Sequence, residues 1–462
     1  MCGGSPEPRR TPTCGHKLLL LFLSIGSVLA QDCAQPGLNP QERLARFRDL
    51  DMRAQSAMQE KRFNDAVQLY REATCLAPES PRGLYGLGVA QAASGDFLGA
   101  RESLRKADRI QPTSPLPLAM QVRIDYSLND LDALKADLRE EAERFPRDAQ
   151  LHALLARFLA EKKLMVLALA ESLRAQQAGS GDSDSQVQLA ILENAAGAYE
   201  DAIRNAAAVE KGKDASSTLR ASAAGVAGLS YESTGQRNEA IARLQEAIRL
   251  DPLRENSYLA LADLLEQGQK YPEAVSVLEE GRKNISSSSA ILLPLGADLI
   301  RTEKYQEGIA VLRELLHQSP DQEQAYLSIA DASRKMGNAN QELEALQALS
   351  RRKPDYPMIH VLIARAMLNA NPADYAKVLE ELAAAEKVAP TDPDVFYLRG
   401  KVYVATGRSP EAIAALKRSI DLRPLEPSPY YQLARLYQKA GKPDLAKEQF
   451  DRLKVLEAAP SN

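Results

Sequence analysis

Few side chains in this sequence have the types and spacing that chemistry requires. The 462 residues include four histidines and four cysteines, but no CxxC, HExxH, GxSxG or phosphate-loop pattern. His152 and His360 fall on the packed faces of predicted helices, where a core histidine is a simpler interpretation than a metal ligand. We therefore expect no catalytic residues, no metal site, no cofactor and no small-molecule substrate.

Adjacent acidic residues are the other candidates for chemistry. They occur at Glu140-Glu141, Glu279-Glu280 and Glu380-Glu381, each on the second helix of a predicted helix pair. Charged residues are rarely buried, so such pairs are most simply parts of solvated outer faces. An enzyme site built from residues without a recognisable pattern is the minor alternative.

Composition and charge narrow the class of protein and of partner. The sequence is 45% hydrophobic and 26% charged, as in ordinary globular chains, which excludes collagen-like and polytopic membrane proteins. Its 58 basic and 62 acidic residues give a net charge of −4. This balance gives no electrostatic reason to expect nucleic-acid binding, so we expect protein or peptide partners.

Residues 1–30 have the pattern of a secretory signal peptide. Arg9, Arg10 and Lys17 precede the apolar run 18–30. A helix of thirteen residues spans about 20 Å, less than the ~30 Å hydrocarbon core of a bilayer. We expect cleavage near Ala30 and export to the periplasm or the extracellular side. An uncleaved segment that anchors the chain in a membrane is the alternative.

Two cysteines follow the expected cleavage site. Cys33 and Cys75 would be exposed to an oxidising compartment, where disulfides form and persist. A Cys33–Cys75 disulfide would tie the N-terminal arm to the first helix pair. The alternative is two unpaired thiols, with Cys75 buried in a helix.

Alanine and proline recur through the chain with a period of 34 residues. The early positions are Ala66, Ala100, Ala168 and Ala202, with Pro78, Pro112 and Pro146 on the same period. A sustained period of this length is typical of stacked repeats. Each period contains two amphipathic helix patterns separated by a turn, and in most copies a proline closes the second helix, because proline cannot continue a helix.

The clearest copy, residues 81–114, shows how the two helices would pack. Gly88 and Ala100 are small, so the helices can approach closely, and large neighbours such as Leu104 fill the remaining space. Gly95-Asp96 makes the turn between the helices. A single pair cannot bury its apolar face alone, so the copies must stack.

This pattern resembles the tetratricopeptide repeat (TPR) family. The resemblance implies an all-α fold, a right-handed α-solenoid of about twelve helix-turn-helix repeats. The expected segments are a signal peptide at 1–30, an arm with the start of the first helix at 31–46, repeats 1–4 at 47–182, repeat 5 with a hinge at 183–220, and repeats 6–12 at 221–460.

Repeat 5 lies between two irregular stretches, 176–185 and 210–217. One continuous superhelix with two longer loops is the simpler interpretation. The alternative is two rigid arms, 31–178 and 221–462, that hinge around repeat 5.

The resemblance also implies where a partner would bind, because the first helices of TPR repeats line a concave groove. We expect a basic, tyrosine-bearing set near the C-terminus that binds an acidic or carboxylate-ended segment. Its members are Arg334, Lys335, Arg365, Tyr397, Lys401, Tyr431, Arg435 and Lys439. The alternative is that these cations are simply common residues on solvated helix faces.

A more apolar mid-groove is expected from Ile191, Leu229, Leu293 and Ile300. The expected function is a non-catalytic scaffold or adaptor for protein segments, set in a bacterial cell envelope. A regulatory or targeting subunit of a separately encoded enzyme or export complex is the alternative.

Overall fold

The computed structural model describes residues 38–356, 358–370 and 374–458. Across these ranges the regular structure is 24 α-helices, without strands, numbered here α1 to α24. None of these helices is both long enough and apolar enough to cross a bilayer. The expected signal peptide, Cys33 and the beginning of the arm lie outside the described residues.

The chain divides into two compact units, the first ending at Ala208 and the second beginning at Val209. In the first unit, consecutive helices pack against each other in pairs, hereafter hairpins, each an odd-numbered helix followed by an even-numbered one. Its helices are α1 (Pro40–Gln59), α2 (Phe63–Leu76), α3 (Pro81–Ser94), α4 (Phe97–Ile110), α5 (Leu116–Ser127), α6 (Leu131–Arg144), α7 (Ala149–Glu161), α8 (Met165–Gln177) and α9 (Ser183–Ala195). The unit boundary falls within α10 (Tyr199–Lys211).

The second unit repeats the same pairing through hairpins 6 to 12. Its helices are α11 (Ser217–Ser233), α12 (Arg237–Leu250), α13 (Glu255–Gln267), α14 (Tyr271–Asn284), α15 (Leu292–Arg301), α16 (Tyr305–Gln318), α17 (Glu323–Lys335), α18 (Ala339–Arg352), α19 (Ile359–Asn369), α20 (Tyr375–Val388), α21 (Pro393–Ala405), α22 (Ser409–Leu422), α23 (Pro427–Lys439) and α24 (Pro443–Ala458). The all-α solenoid expected from the repeats is confirmed.

One left-handed residue marks the turn inside each described hairpin and keeps the sequence period. These residues are Lys61, Gly95, Asn129, Lys163, Gly197, Gly235, Gln269, Glu303, Gly337, Gly407 and Gly441. They lie 34 residues apart up to Gly197, and the next follows after four additional residues. For hairpin 10, residues 371–373, between α19 and α20, lie outside the described residues.

The prolines that follow the second helices restrict the backbone angles of the residue before them. Gln111, before Pro112, has φ −130° and ψ 74°, and Ser319, before Pro320, has φ −134° and ψ 81°. Proline disfavours helical backbone at the preceding residue, so these second helices stop there. The chain then turns to begin the next hairpin.

Close packing inside the hairpins follows the predicted small residues. A Cβ atom placed on Gly88 would lie 2.6 Å from Leu104 Cγ and 3.3 Å from the Ala100 carbonyl oxygen. Ala100 and Leu104 are fully buried. The expected approach of α3 and α4 at Gly88 and Ala100 is confirmed.

The start of hairpin 6 differs from the expected boundary at residue 221. Residues 217–220 form the first turn of α11 rather than a connection between repeats. The Ser216 side chain accepts a hydrogen bond from the Leu219 amide, which satisfies one of the unpaired amides at the helix start. The four additional residues therefore lengthen the helix.

Candidate functional site

Three first helices of the second unit bring basic residues into one row. Helices α19, α21 and α23 lie side by side, each in contact with the next. Arg365, Lys401 and Arg435 hold the same repeat position on these helices, and Arg365 and Arg435 are exposed. The predicted basic residues of hairpins 10 to 12 thus occur on adjacent helices.

One exposed face of α23 carries the most accessible part of this row. Tyr431, Arg435 and Lys439 follow one another at intervals of four residues, which places them on the same side of the helix. Tyr431 is 45% exposed. With Gln432 and Gln438 they line an open depression of about 650 Å³.

Tyr397 is held more firmly than Tyr431. Lys401 Nζ lies 6.0 Å from the centre of the Tyr397 ring, at the limit of a cation–π contact. Burial raises the pKa of the Tyr397 phenol, and its hydrogen bond with Ser428 opposes that rise. Ser428 lies on α23, so this contact links α21 to α23.

The predicted cations fall into two groups by their ion pairing. Arg334 and Lys335 both pair with Asp331 on their own helix, with Lys335 Nζ 3.1 Å from an Asp331 carboxylate oxygen. Burial raises the pKa of Asp331, but hydrogen bonds from these two cations outweigh it and hold that pKa below its usual value. Asp331 therefore compensates one of the two positive charges at Arg334 and Lys335.

The other four basic residues have no such compensation. No carboxylate in the part of the chain that the structure describes forms an ion pair with Arg365, Lys401, Arg435 or Lys439. Arg365 does lie near the buried Glu342, whose pKa is raised by burial and lowered by Arg334 and Arg365. These four residues are called the open cations below.

The predicted apolar residues do not share one environment. Ile191, in the first unit, and Leu229, in the second, are 39% and 38% exposed. Leu293 is half-buried. Ile300 is only 6% exposed and belongs to the core of the second unit. It contributes to the floor of a depression of about 390 Å³ that Lys335 also lines.

A set of buried polar pairs was missed by sequence reasoning. In hairpin 2, Ser103 Oγ donates to Gln91 Oε1 at 2.7 Å. Hairpins 3 and 5 place polar residues at the same two positions, twelve residues apart: Asp125 with Asp137, and Glu193 with Asn205. Hairpin 4 has Leu159 and Glu171 there, so its glutamate lacks the usual partner.

Glu171 instead belongs to a buried cluster with His152 and Glu141. His152 Nδ1 lies 2.9 Å from Glu171 Oε2 and 3.2 Å from Glu141 Oε1. All three side chains are almost completely inaccessible to solvent. Burial lowers the pKa of His152, but the two carboxylates beside it outweigh burial and raise that pKa to about 9.

The expectation that Glu141 lies on a solvated outer face was wrong. Glu141 is fully buried because it holds the repeat position of Ala107, which faces the neighbouring hairpin. His152 likewise holds the position of the buried Leu118. The 34-residue period could have indicated that both positions are buried, although residue type alone pointed to the surface.

Cys75 is disulfide-bonded in the structure. Cys33 lies outside the described residues, so the Cys33–Cys75 pairing stays a prediction.

Comparison with known families gives matches along much of the chain. A tetratricopeptide repeat model matches residues 52–115, 226–288 and 293–357, a TPR repeat model matches 400–441, and a further tetratricopeptide repeat model matches 427–462. The search of curated proteins gives no match.

The solved structures that match this chain include two TPR proteins and yeast Tom70. The C-terminal part of a TPR repeat-containing protein from Cytophaga hutchinsonii is 15% identical, covers 61% of this chain and 99% of its own, and has a TM-score of 0.43. Yeast Tom70 is 16% identical and covers 89% of this chain and 92% of its own, with a TM-score of 0.34. YrrB, a TPR protein with an unusual peptide-binding site, is 19% identical and covers 40% of this chain and 95% of its own, with a TM-score of 0.35.

Proposed function

Because this chain belongs to the tetratricopeptide repeat family, we propose that it is a non-catalytic scaffold or adaptor that binds an extended partner segment along α19, α21 and α23. The observation that carries this proposal is the row of open cations on three adjacent first helices. A cation that forms no ion pair within the chain remains available to an external carboxylate.

The spacing of the row defines the segment that fits it. Packed helices lie about 8–10 Å apart, and a chain in the polyproline II conformation rises about 3.1 Å per residue with three residues per turn, so every third side chain points to the same side. Arg365, Lys401 and Arg435 would therefore meet carboxylates about three residues apart along the partner. A chain end could place its terminal carboxylate at Arg435 or Lys439, where the cations are closest along one helix.

The remaining residues of the depression suit a peptide backbone. Gln432 and Gln438 offer both donors and acceptors, and Tyr431 offers a large surface with little side-chain entropy to lose. These groups hold the main chain without selecting particular side chains. Specificity would come from the register of the acidic residues.

Peptide binding tests this function. The probe is a labelled peptide with glutamate at every third position, and the comparison peptide has the same composition with its glutamates in one block. We expect the spaced peptide to bind more tightly in fluorescence anisotropy. Arg365→Glu with Arg435→Glu should weaken its binding by at least about tenfold, equivalent to about 1.4 kcal/mol, with unchanged helix content.

The control variant, Lys417→Glu with Lys447→Glu, makes the same change in net charge on the second helices α22 and α24. It should leave affinity within about twofold, since binding depends on contact and is only weakly affected by distant exposed charge. Equal losses in the two double variants would show non-specific attraction, and no loss in either would exclude the basic row as the binding surface.

We also propose that the protein acts outside the cytoplasm, in a bacterial envelope. The pattern of residues 1–30 and the disulfide at Cys75 support this location. N-terminal sequencing of the protein from envelope fractions should give a chain that begins at Gln31. A chain beginning at Met1 in the cytoplasmic fraction would contradict the proposal.

A further inference from the structure

We propose that Glu141, His152 and Glu171 form a buried binding site for a divalent transition-metal ion of the zinc class. The three side chains come from two successive hairpins of the first unit. Glu141 lies on α6, whereas His152 lies on α7 and Glu171 on α8. A bound ion would therefore connect hairpin 3 to hairpin 4.

The ligand atoms already have separations close to those around a metal ion. His152 Nδ1 lies 3.2 Å from Glu141 Oε1 and 2.9 Å from Glu171 Oε2, and all three atoms lie within 4.8 Å of one another. Tetrahedral zinc with bonds of about 2.0–2.1 Å sets its ligand atoms about 3.4 Å apart. The ion would thus need only small movements of the side chains.

Glu141 supplies the independent reason to expect a ligand. It is completely buried, and neither of its carboxylate oxygens accepts a hydrogen bond from any described residue. The single proton on His152 Nδ1 is closer to Glu171, so it cannot satisfy both carboxylates. A buried carboxylate without a hydrogen-bond partner is costly, and a cation between the two glutamates would remove that cost.

Arg174 holds Glu171 in the orientation that the site needs. Its guanidinium donates to Glu171 Oε1, which leaves Oε2 directed at His152. Hydrogen bonds of this kind to a ligating carboxylate are common around metal sites, where they fix the orientation of the ligand. Arg174 is therefore a positioning residue, not a ligand.

The types of the three ligand atoms determine which metal ion suits the site. One imidazole nitrogen with two carboxylates suits zinc and its neighbours, whereas calcium takes six to eight oxygen ligands and magnesium prefers octahedral oxygen. Three protein ligands leave room for one further ligand, such as water, in a tetrahedral site.

The test uses the full-length, untagged protein after treatment with a chelator. Titration with Zn²⁺ in a calorimeter should show one high-affinity site, and elemental analysis after gel filtration should give one zinc per chain. Co²⁺ should produce the absorption of a tetrahedral site. Thermal stability should rise with the logarithm of free Zn²⁺ concentration, because the ion binds the folded state.

Variants locate the site. Glu141→Gln keeps the shape of the side chain and should weaken Zn²⁺ binding by at least about 100-fold, whereas Arg174→Gln should weaken it by about 10- to 100-fold. The matched control is His360→Gln. It removes a similar histidine–glutamate contact, His360 Nδ1 to Glu381 Oε2 at 2.8 Å, that has no second carboxylate.

Unchanged Zn²⁺ affinity in His360→Gln, with loss in Glu141→Gln, would support the proposal. The proposal would be overturned if the folded wild-type protein bound no Zn²⁺ or Co²⁺, because the cluster would then be only a protonated histidine between two carboxylates. Equal Zn²⁺ affinity in wild type and folded Glu141→Gln would overturn it too.

Discussion

Asp125 and Asp137 form a buried carboxyl pair inside hairpin 3, at the two positions that Gln91 and Ser103 occupy in hairpin 2. Burial raises the pKa of Asp125, but Arg101, whose Nη2 lies 2.7 Å from Asp125 Oδ1, opposes that rise and favours the charged form. Burial, together with the neighbouring Asp125, raises the pKa of Asp137 to about 7. Asp137 is therefore the member of the pair that keeps a proton and donates it to Asp125.

The first prediction concerns pH and Asp137→Asn. Since an aspartate in an unfolded chain titrates near 3.9, the folded protein binds more protons than the unfolded chain between about pH 4 and pH 7. The contribution of Asp137 to the free energy of unfolding should therefore fall as pH rises through this window. Asparagine can still donate to Asp125 and does not titrate, so the variant should gain stability over the wild type towards pH 8.

Circular-dichroism melting at pH 5 and pH 8 measures this difference. We expect the wild type to lose several degrees more than Asp137→Asn, since about 1 kcal/mol shifts the melting temperature of a 150–250-residue unit by about 2–4 °C. Glu143→Gln, at an exposed site on the same helix, should follow the wild type. Parallel pH profiles for wild type and Asp137→Asn would contradict the assignment of the proton.

The contrast between Ala107 and Glu141 shows how much the sequence alone could predict. The 34-residue period assigned turns and small packed residues correctly, because close helix packing depends on side-chain size at fixed positions. Glu141 holds the same position as Ala107 but was assigned to the surface by its charge. Its burial requires His152 on the next hairpin, and that contact crosses between repeats.

The ion pairing of the predicted basic residues was harder to predict from sequence. Asp331 stands three and four residues before Arg334 and Lys335, at a spacing that permits both pairs on one helix. Spacing alone does not decide which rotamers the cations adopt. The difference between these paired cations and Arg435 depends on side-chain positions, which the sequence does not contain.

The second prediction concerns the backbone at the hairpin turns. Glu303 has φ 62° and is exposed, and the equivalent residue of the next hairpin is Gly337, with φ 70°. Left-handed backbone costs a residue with a Cβ atom about 1–2 kcal/mol. A glycine variant removes this cost, but glycine loses more conformational entropy on folding, which offsets part of the gain in stability. Glu303→Gly should therefore raise the free energy of unfolding by up to ~1 kcal/mol.

The reverse substitution, Gly337→Ala, should lower the free energy of unfolding by about 1 kcal/mol. Urea denaturation of both variants measures the two effects. Destabilisation by Glu303→Gly would show that the Glu303 side chain makes a compensating interaction.

The third prediction compares two glycines on α11. A Cβ atom on Gly228 would lie 2.7 Å from Leu244 Cγ and 3.3 Å from the Ala240 carbonyl oxygen, whereas on Gly225 the nearest atom would be 3.8 Å away. Gly228→Ala should destabilise the protein by about 1–3 kcal/mol through overpacking. Gly225→Ala should stabilise it by about 0.5–1 kcal/mol, since alanine is the better helix former.

Thermal and urea unfolding of the two alanine variants measures this difference within one helix. Their opposite signs provide the internal control, because helix propensity changes equally in both. If Gly228→Ala were as stable as Gly225→Ala, α11 and α12 would be able to separate at no cost.

The last prediction is that Cys75 pairs with Cys33. Cys75 is disulfide-bonded, and a link between these residues would close a loop of about 40 residues in the unfolded chain. Peptide mapping without reductant should give one linked peptide that contains both cysteines. Cys75→Ser and Cys33→Ser should each lower the free energy of unfolding by about 2–4 kcal/mol, and the double variant should lose no more than either single variant. A linked peptide that joins Cys75 to Cys2 or Cys14 would contradict both this pairing and cleavage near Ala30.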